Sequence, residues 1–194
     1  IRKAAGLTDM SGIKKIWLKG SGVSEVIDFL ITRDCNKIKP GVATYAALLN
    51  ENGYVIDDAI VFRLSSLEFE KFDASWLICF GAGFGVDYLT KSLDGTEVIA
   101  RADDDTACLM LQGPHAATVM KRVVKGLLPT NLRRFEHGVF SISDADVMIA
   151  RTSYSGEDGF EIFVKSQHAI HTWNLLVSNG AVPVGFDAID IARF

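Results

Sequence analysis

Two apolar runs, Tyr45-Ala-Ala-Leu-Leu-Asn50 and Tyr54-Val-Ile-Asp-Asp-Ala-Ile-Val-Phe62, flank Glu51-Asn52-Gly53. Asn-Gly between strand-like runs is the strongest short-range hairpin signal, because both residues accept the positive-φ conformations a tight antiparallel turn demands. Residues 45–62 are therefore expected to form two antiparallel neighbours, and the remaining elements must extend that sheet or cover it. Ile13–Lys19 reads as a strand, and Val23–Ile31 carries apolar residues at helical spacing. A third strand, Trp76–Phe80, runs into the glycine-rich bend Gly81-Ala-Gly-Phe-Gly85 and a helix near Val86–Leu93. The stretch between Leu64 and Trp76 reads as a hairpin connection.

A second group of elements begins near Asp103. Thr106–Leu111 reads as a strand, Gln112-Gly-Pro114 as a turn and Ala116–Val124 as a helix. Val139–Ser143 and Val147–Thr152 form a strand pair across Asp144-Ala-Asp146, and Gly159–Val164 is a further strand. The helix Ala169–Asn179 places Ile170, Trp173, Leu176 and Val177 on one face. A last helix covers residues 186–194, to the end of the sequence. The expected class is α+β, two packed domains of antiparallel sheets with flanking helices and no long linker between them.

Composition excludes several functions. The 194 residues are 48% hydrophobic and 23% charged, with a net charge of −4. That balance suits a folded core and argues against nucleic acid or anionic membrane as the main partner. No run of about twenty apolar residues is present, nor a secretory signal core, so a cytoplasmic or organelle-matrix protein is expected. Cys35, Cys79 and Cys108 lie far apart without zinc-ligand spacing and read as buried free thiols. His168 and His171 share a helix, yet no third ligand lies nearby in sequence, so no metal is expected. The chain starts at Ile1 and stops at Phe194 inside a helical pattern, which reads as part of a longer protein.

Two places stand out chemically. Asp57 and Asp58 interrupt an apolar strand, where a carboxylate is costly unless hydrogen-bonded or solvated. Adjacent strand residues face opposite ways, so at most one of the pair enters a given site and the other takes surface or backbone hydrogen bonds. Both capping a turn near a strand end is an equally open reading. The second place is Arg151-Thr-Ser-Tyr-Ser-Gly-Glu-Asp-Gly-Phe-Glu161, a polar glycine-containing loop opening a strand. Alternation puts Phe160, Ile162 and Val164 on one face and Glu161 with Phe163 on the other, an acid beside an aromatic ring that suits a flat hydrogen-bonding heterocycle. A solvated Glu on a hairpin fits the same composition. The GxGxG of residues 81–85 has neither the spacing nor the βαβ surroundings of a dinucleotide site.

Three stretches together closely resemble the glycine-cleavage T-protein (aminomethyltransferase) family. They are Leu7-Thr-Asp-Met-Ser11 through Lys19-Gly20, Tyr45 to Asp58, and Arg151 to Glu161; Gln112-Gly-Pro and Gly185–Arg193 follow in the family's order. The resemblance implies a folate-binding first domain of residues 1–13 and 103–194, interrupted by an inserted α+β domain of residues 14–102. A carboxy-terminal β-rich domain and an opening segment of the family fall outside the chain. It also implies tetrahydrofolate as cofactor, Asp58 as the catalytic carboxylate in contact with folate, Tyr45 and Tyr154 as aromatic walls with hydroxyl contacts, and Glu161 as the pterin-holding acid. The implied reaction moves a methyl or aminomethyl unit from a small-molecule amine or related donor, or from a lipoyl carrier protein, onto tetrahydrofolate.

This chain departs from the family's usual pattern at Gly81, where glycine-cleavage members carry Asn, at Ile189, where they carry Arg, and at Gly12, where they carry His. These departures widen the expected donors to those of the dimethylglycine, sarcosine and folate-dependent demethylase relatives. The alternative implied by the same resemblance is a folate-binding accessory protein without transferase activity. The Lys-Gly-Cys-Tyr motif of such proteins is not found here.

Overall fold

The computed structural model describes residues 1–193. The chain divides into two compact units, one of Ile1–Gly12 with Asp105–Phe194 and the other of Ile13–Asp104. In chain order, β1 (Ala5–Asp9) belongs to the first. The second then comprises β2 (Lys14–Lys19), α1 (Val23–Leu30), β3 (Val42–Leu49), β4 (Val55–Arg63), α2 (Ser66–Phe72), β5 (Trp76–Phe80), α3 (Gly85–Ser92) and β6 (Ile99–Ala102). The first resumes with β7 (Thr106–Gln112), α4 (Ala116–Val123), β8 (Val124–Lys125), β9 (His137–Ile142), β10 (Ala145–Ala150), β11 (Gly159–Lys165), α5 (Ser166–Ser178), β12 (Ala181–Pro183) and α6 (Phe186–Arg193). The fold is mixed α+β.

In the unit Ile13–Asp104 the sheet order is β3-β4-β5-β2-β6, antiparallel throughout. The expected hairpin joins β3 to β4. Gly53 N–H donates to Asn50 O at 2.9 Å, and the Asn50 side chain accepts the Asn52 and Tyr54 amides, each at 3.0 Å. One face carries Ile16, Leu18, Ala46, Leu48, Ala59, Val61, Ile78 and Phe80 against Val23, Val26, Ile27 and Leu30 of α1, the i, i+3, i+4, i+7 stripe that makes this short segment a helix. Burying a side chain of this size contributes about 1.5–3 kcal/mol. The other face carries Lys15, Trp17, Tyr45, Asp58, Ile60, Phe62, Leu77 and Cys79.

Residues between Leu64 and Trp76 are not a plain connection. Ser66–Phe72 is a helix, started by a capping box in which Ser65 and Glu68 satisfy each other's backbone amides and stopped at Asp73, whose φ is +51°. Phe72 stacks on Trp17 with ring centroids 5.3 Å apart.

In the other unit the sheet order is β12-β1-β7-β11-β10-β9-β8, with β1 and β12 parallel and every other pair antiparallel. Leu7, Leu109, Leu111, Val147, Ile149, Phe160, Ile162 and Val164 pack against Val119, Met120 and Val123 of α4 and Leu176 of α5. The expected stripe on α5 needs one correction. Ile170 is 77% exposed, and Thr172 and Leu176 are the residues α5 buries, with Trp173 and Val177 packed at the core's margin. The phase set by Leu176 turns Ile170 toward water. The opposite sheet face is also buried, by Thr8, Cys108, Met110, Gln112, Met148, Ala150, Glu161 and Phe163.

All three cysteines are free and buried, and burial raises the Cys35 thiol to about 11. No helix among the described residues is long and apolar enough to cross a membrane.

Candidate functional site

Asp57 and Asp58 take opposite faces, as strand alternation requires. Asp57 is buried on the helix side, where its carboxylate would be intolerable alone. It is not alone: Oδ1 accepts the Asp58 amide at 2.8 Å and the Ala82 amide at 2.9 Å, and Oδ2 accepts the Gly85 amide at 2.8 Å. Asp57 thus ties β4 to the glycine-rich bend and the first residue of α3. Asp58 points to the other face, where Oδ2 accepts the Tyr45 hydroxyl at 2.5 Å. Tyr45 pairs with Ile60 across the ladder, so Asp58 is its diagonal neighbour on the same face. The Asp58 backbone is fixed as well, because its carbonyl accepts Gly81 N–H at 2.8 Å.

Glu161 and Tyr154 lie in the other unit. Glu161 is 6% exposed on β11, beside Phe163 along the same face, while Phe160 turns into the helix-covered core. Burial of its carboxyl raises the pKa to about 7, with nearby Thr152 acting in the opposite sense. Glu161 therefore exchanges its proton near neutrality. Register places Gln112 of β7 on the same face, opposite Gly159 and two residues from the Glu161 partner Met110. Gln112 Oε1 accepts the Ser155 amide at 2.9 Å, which fixes the amide's orientation. Gln112 Nε2 and Ser155 Oγ are buried without a hydrogen-bond partner, and the Thr152 hydroxyl has only the Glu161 carboxyl near it. Each such orphan is unfavourable by about 1–3 kcal/mol, and a cluster of them beside a buried acid has the donor and acceptor chemistry of a polar-ligand site.

Tyr154 is held by α6. Its hydroxyl accepts from Arg193 Nη1 at 2.5 Å and lies 3.5 Å from Asp190 Oδ1, while the Arg193 guanidinium sits 4.8 Å from the ring centroid. Ile189, one turn before Arg193, is fully buried. A cleft of about 350 Å³ opens beside this loop, lined by Arg134, Arg151, Thr152, Glu157 and Asp158 among others. Arg151 is its rigid post. Nε and Nη2 grip Asp158 at 3.0 and 2.7 Å, and Nη1 donates to the carbonyls of Thr130 and Leu132 at 3.0 and 2.7 Å.

Of the residues the sequence singled out, Tyr45 and Asp58 meet directly, and Tyr154 and Glu161 flank one loop. Gln112, Thr152, Ser155 and Arg193 were not singled out, because only strand pairing and loop geometry bring them there. His171 bonds the Ser143 hydroxyl at 3.0 Å, and His115 occupies the N-cap of α4. Among the described residues no cluster of three or more His, Cys, Asp or Glu side chains is arranged to hold a metal ion.

A seven-stranded and a five-stranded sheet, each with its own helices, make this an aminomethyltransferase T-type fold. The solved glycine cleavage system aminomethyltransferase T from Bartonella henselae superposes with a TM-score of 0.83 at 30% identity, over 99% of this chain and 51% of that one. A heterotetrameric sarcosine oxidase from Corynebacterium sp. U-96 shares the fold at 16% identity and a TM-score of 0.61, over 100% of this chain and 88% of that one. The GCVT N-terminal domain model matches residues 1–194, and the chain belongs to that family. It is 38% identical to the heme-dependent oxidative N-demethylase gamma subunit of Ectopseudomonas mendocina and 35% identical to the aminomethyltransferase of Synechococcus elongatus, over 100% of this chain and 50% and 52% of theirs. The chain spans about half the length of these relatives.

Proposed function

We propose that the protein containing this chain binds tetrahydrofolate and transfers a one-carbon unit to it from an N-methylated amine or related donor. The observation that carries the folate half is the buried Glu161 carboxyl, with its pKa near 7, beside Phe163, the Thr152 hydroxyl and the unpartnered polar atoms of Gln112 and Ser155. These residues fit a flat heterocycle rich in N–H donors: Glu161 accepts paired N–H groups, and Phe163 lies along the same sheet face. Tyr154, braced by Arg193, offers an aromatic wall. Asp58, oriented by the Tyr45 hydroxyl, holds and moves the proton at the reacting nitrogen. Tetrahydrofolate, when bound, supplies the nitrogens that accept the one-carbon unit.

The 38% identity to a protein named as an oxidative N-demethylase subunit supports the amine donor. The buried Ile189, an apolar residue where glycine-cleavage members carry Arg, supports it too. Transfer from a lipoyl carrier is the second donor reading, supported by the relatives named aminomethyltransferase. A third reading, folate binding without transferase activity, rests on the same Glu161 site.

Calorimetric titration of the full-length protein with tetrahydrofolate tests the assignment. Glu161→Gln is expected to weaken binding by roughly tenfold or more, and Asp58→Asn to retain binding while losing turnover of an amine donor. Unchanged affinity and turnover in both variants would sink it. Binding with no one-carbon transfer from any donor selects the accessory reading, and transfer only from a lipoylated protein selects the second donor.

A further inference from the structure

Gly81 follows β5 and is exposed at the start of the glycine-rich bend. Its backbone does not explain the glycine. Residue 81 is not among the positive-φ residues, whereas its neighbour Gly83 has φ +90°. An alanine at 81 would thus meet no conformational objection.

Close approach explains it instead. An ideal β-carbon at 81 would lie 1.8 Å from Asp58 Oδ1, 3.0 Å from Asp58 Cγ and 3.4 Å from Asp58 O. All three of the nearest atoms belong to Asp58. The carboxylate therefore occupies the place where any other residue would put its side chain.

Asp58 has little freedom to yield without consequence. Its amide donates to Asp57 Oδ1, its carbonyl accepts from Gly81 N–H, and Oδ2 accepts from Tyr45. The backbone is pinned on both sides, so a β-carbon at 81 is accommodated by rotating the carboxyl group. That rotation takes Oδ2 away from the Tyr45 hydroxyl. With Oδ2 engaged by Tyr45, Oδ1 is the oxygen left for a ligand, and it faces the space over residue 81.

We infer that Gly81 is a positioning residue for Asp58: its missing side chain seats the carboxylate against Tyr45 and leaves Oδ1 open to the reacting group. Residue 81 then governs what Asp58 can reach. The inference rests on the reading of Asp58 as the proton-handling carboxylate, and the experiment separates the two.

The test uses the full-length protein as wild type, Gly81→Ala, Asp58→Asn, the double variant and Tyr45→Phe. Turnover, melting temperature and the Asp58 carboxyl ¹³C resonance are measured on each variant that retains the residue concerned. Gly81→Ala is expected to melt within a few degrees of wild type, to lose at least tenfold in kcat, and to add nothing in the Asp58→Asn background. Its Asp58 resonance is expected to move in the same sense as in Tyr45→Phe. An unmoved resonance in Gly81→Ala overturns the positioning role whatever the activities. So does a kcat loss that multiplies with that of Asp58→Asn. An unaffected kcat in Asp58→Asn with a moved resonance in Gly81→Ala instead overturns the catalytic reading and leaves the seating of Asp58 by Gly81 standing.

Discussion

Asp57 Oδ2 accepts the Gly85 amide at 2.8 Å while Oδ1 accepts the Ala82 amide at 2.9 Å, so one strand carboxylate closes the glycine-rich bend and starts α3. Its partner in sequence, Asp58, is left to the other face with Tyr45. The strand turns the two acids to opposite faces and gives them different partners.

Asp57→Ala leaves three backbone amides, those of Asp58, Ala82 and Gly85, without this acceptor. A loss of about 2–4 kcal/mol in unfolding free energy is expected by chemical denaturation, and a smaller loss for Asp57→Asn, which keeps one acceptor oxygen. Wild-type stability in Asp57→Ala would contradict the anchoring role.

Tyr45→Phe keeps the exposed ring and removes the hydroxyl that Asp58 Oδ2 accepts. If Asp58 handles the proton, kcat falls by roughly five- to tenfold, corresponding to about 1 kcal/mol, while tetrahydrofolate affinity stays within about threefold. Steady-state kinetics beside calorimetry distinguishes this from a general loss of fold, which lowers both.

Glu161 makes stability depend on pH. Its folded pKa of about 7 lies above the ordinary glutamate value of 4.5, so the folded state holds a proton that the unfolded chain releases. The contribution is complete below about pH 4.5 and is lost as pH rises through 7. Glu161→Gln, which cannot ionise, is expected to gain on wild type between pH 5 and pH 8, by an amount approaching about 3 kcal/mol. Parallel urea midpoints for the two proteins across that range would refute the buried neutral acid.

If Glu161 holds tetrahydrofolate as proposed, the same proton shapes binding. A ligand presenting N–H donors takes the carboxylate form, so tetrahydrofolate affinity should rise with pH up to about 7 and level off above it. Below that point each pH unit weakens binding by up to about tenfold. In Glu161→Gln the profile is expected to be flat.

Arg151→Lys tests the post beside the cleft. One ammonium cannot serve both oxygens of Asp158 and the carbonyls of Thr130 and Leu132, and a loss of about 1–3 kcal/mol is expected at neutral pH. Arg151 holds the Asp158 carboxyl below its ordinary range, so this stabilisation is present above the unfolded pKa and fades as pH falls through the folded one. The gap between variant and wild type should close in acid.

Much of this was legible beforehand, and the parts that were not share a cause. Alternation alone separated Asp57 from Asp58 and Glu161 from Phe160, because a strand's period is fixed by its backbone. The helix Ser66–Phe72 is hard to see in the sequence although Ser65 and Glu68 spell its cap. It buries only Glu68, so no apolar stripe announces it. The helical spacing of α5 admits two phases, and Thr172, a polar residue, takes the buried one and leaves Ile170 outside. The strands β6, β8 and β12 are too short to alternate visibly, and β1, buried on both faces, does not alternate. Likewise Gln112 and Ser155 join Glu161 only through the β7–β11 register and one amide bond.

The pairing of β2 with β6, Ile16 opposite Ala102, brings the entry and exit of the unit Ile13–Asp104 side by side. During synthesis β1 emerges first, yet its partners β7 and β12 come only after that whole unit, the last of them at Ala181–Pro183. Joining β1 to β7 across an unstructured loop of such length costs on the order of 4 kcal/mol in chain entropy. Once β2 and β6 have paired, the intervening residues no longer behave as a loop, and that entropy has already been lost in forming a sheet stabilised by its own core. The topology thus makes the joining of β1 to β7 far cheaper once the inserted unit has closed on itself than before.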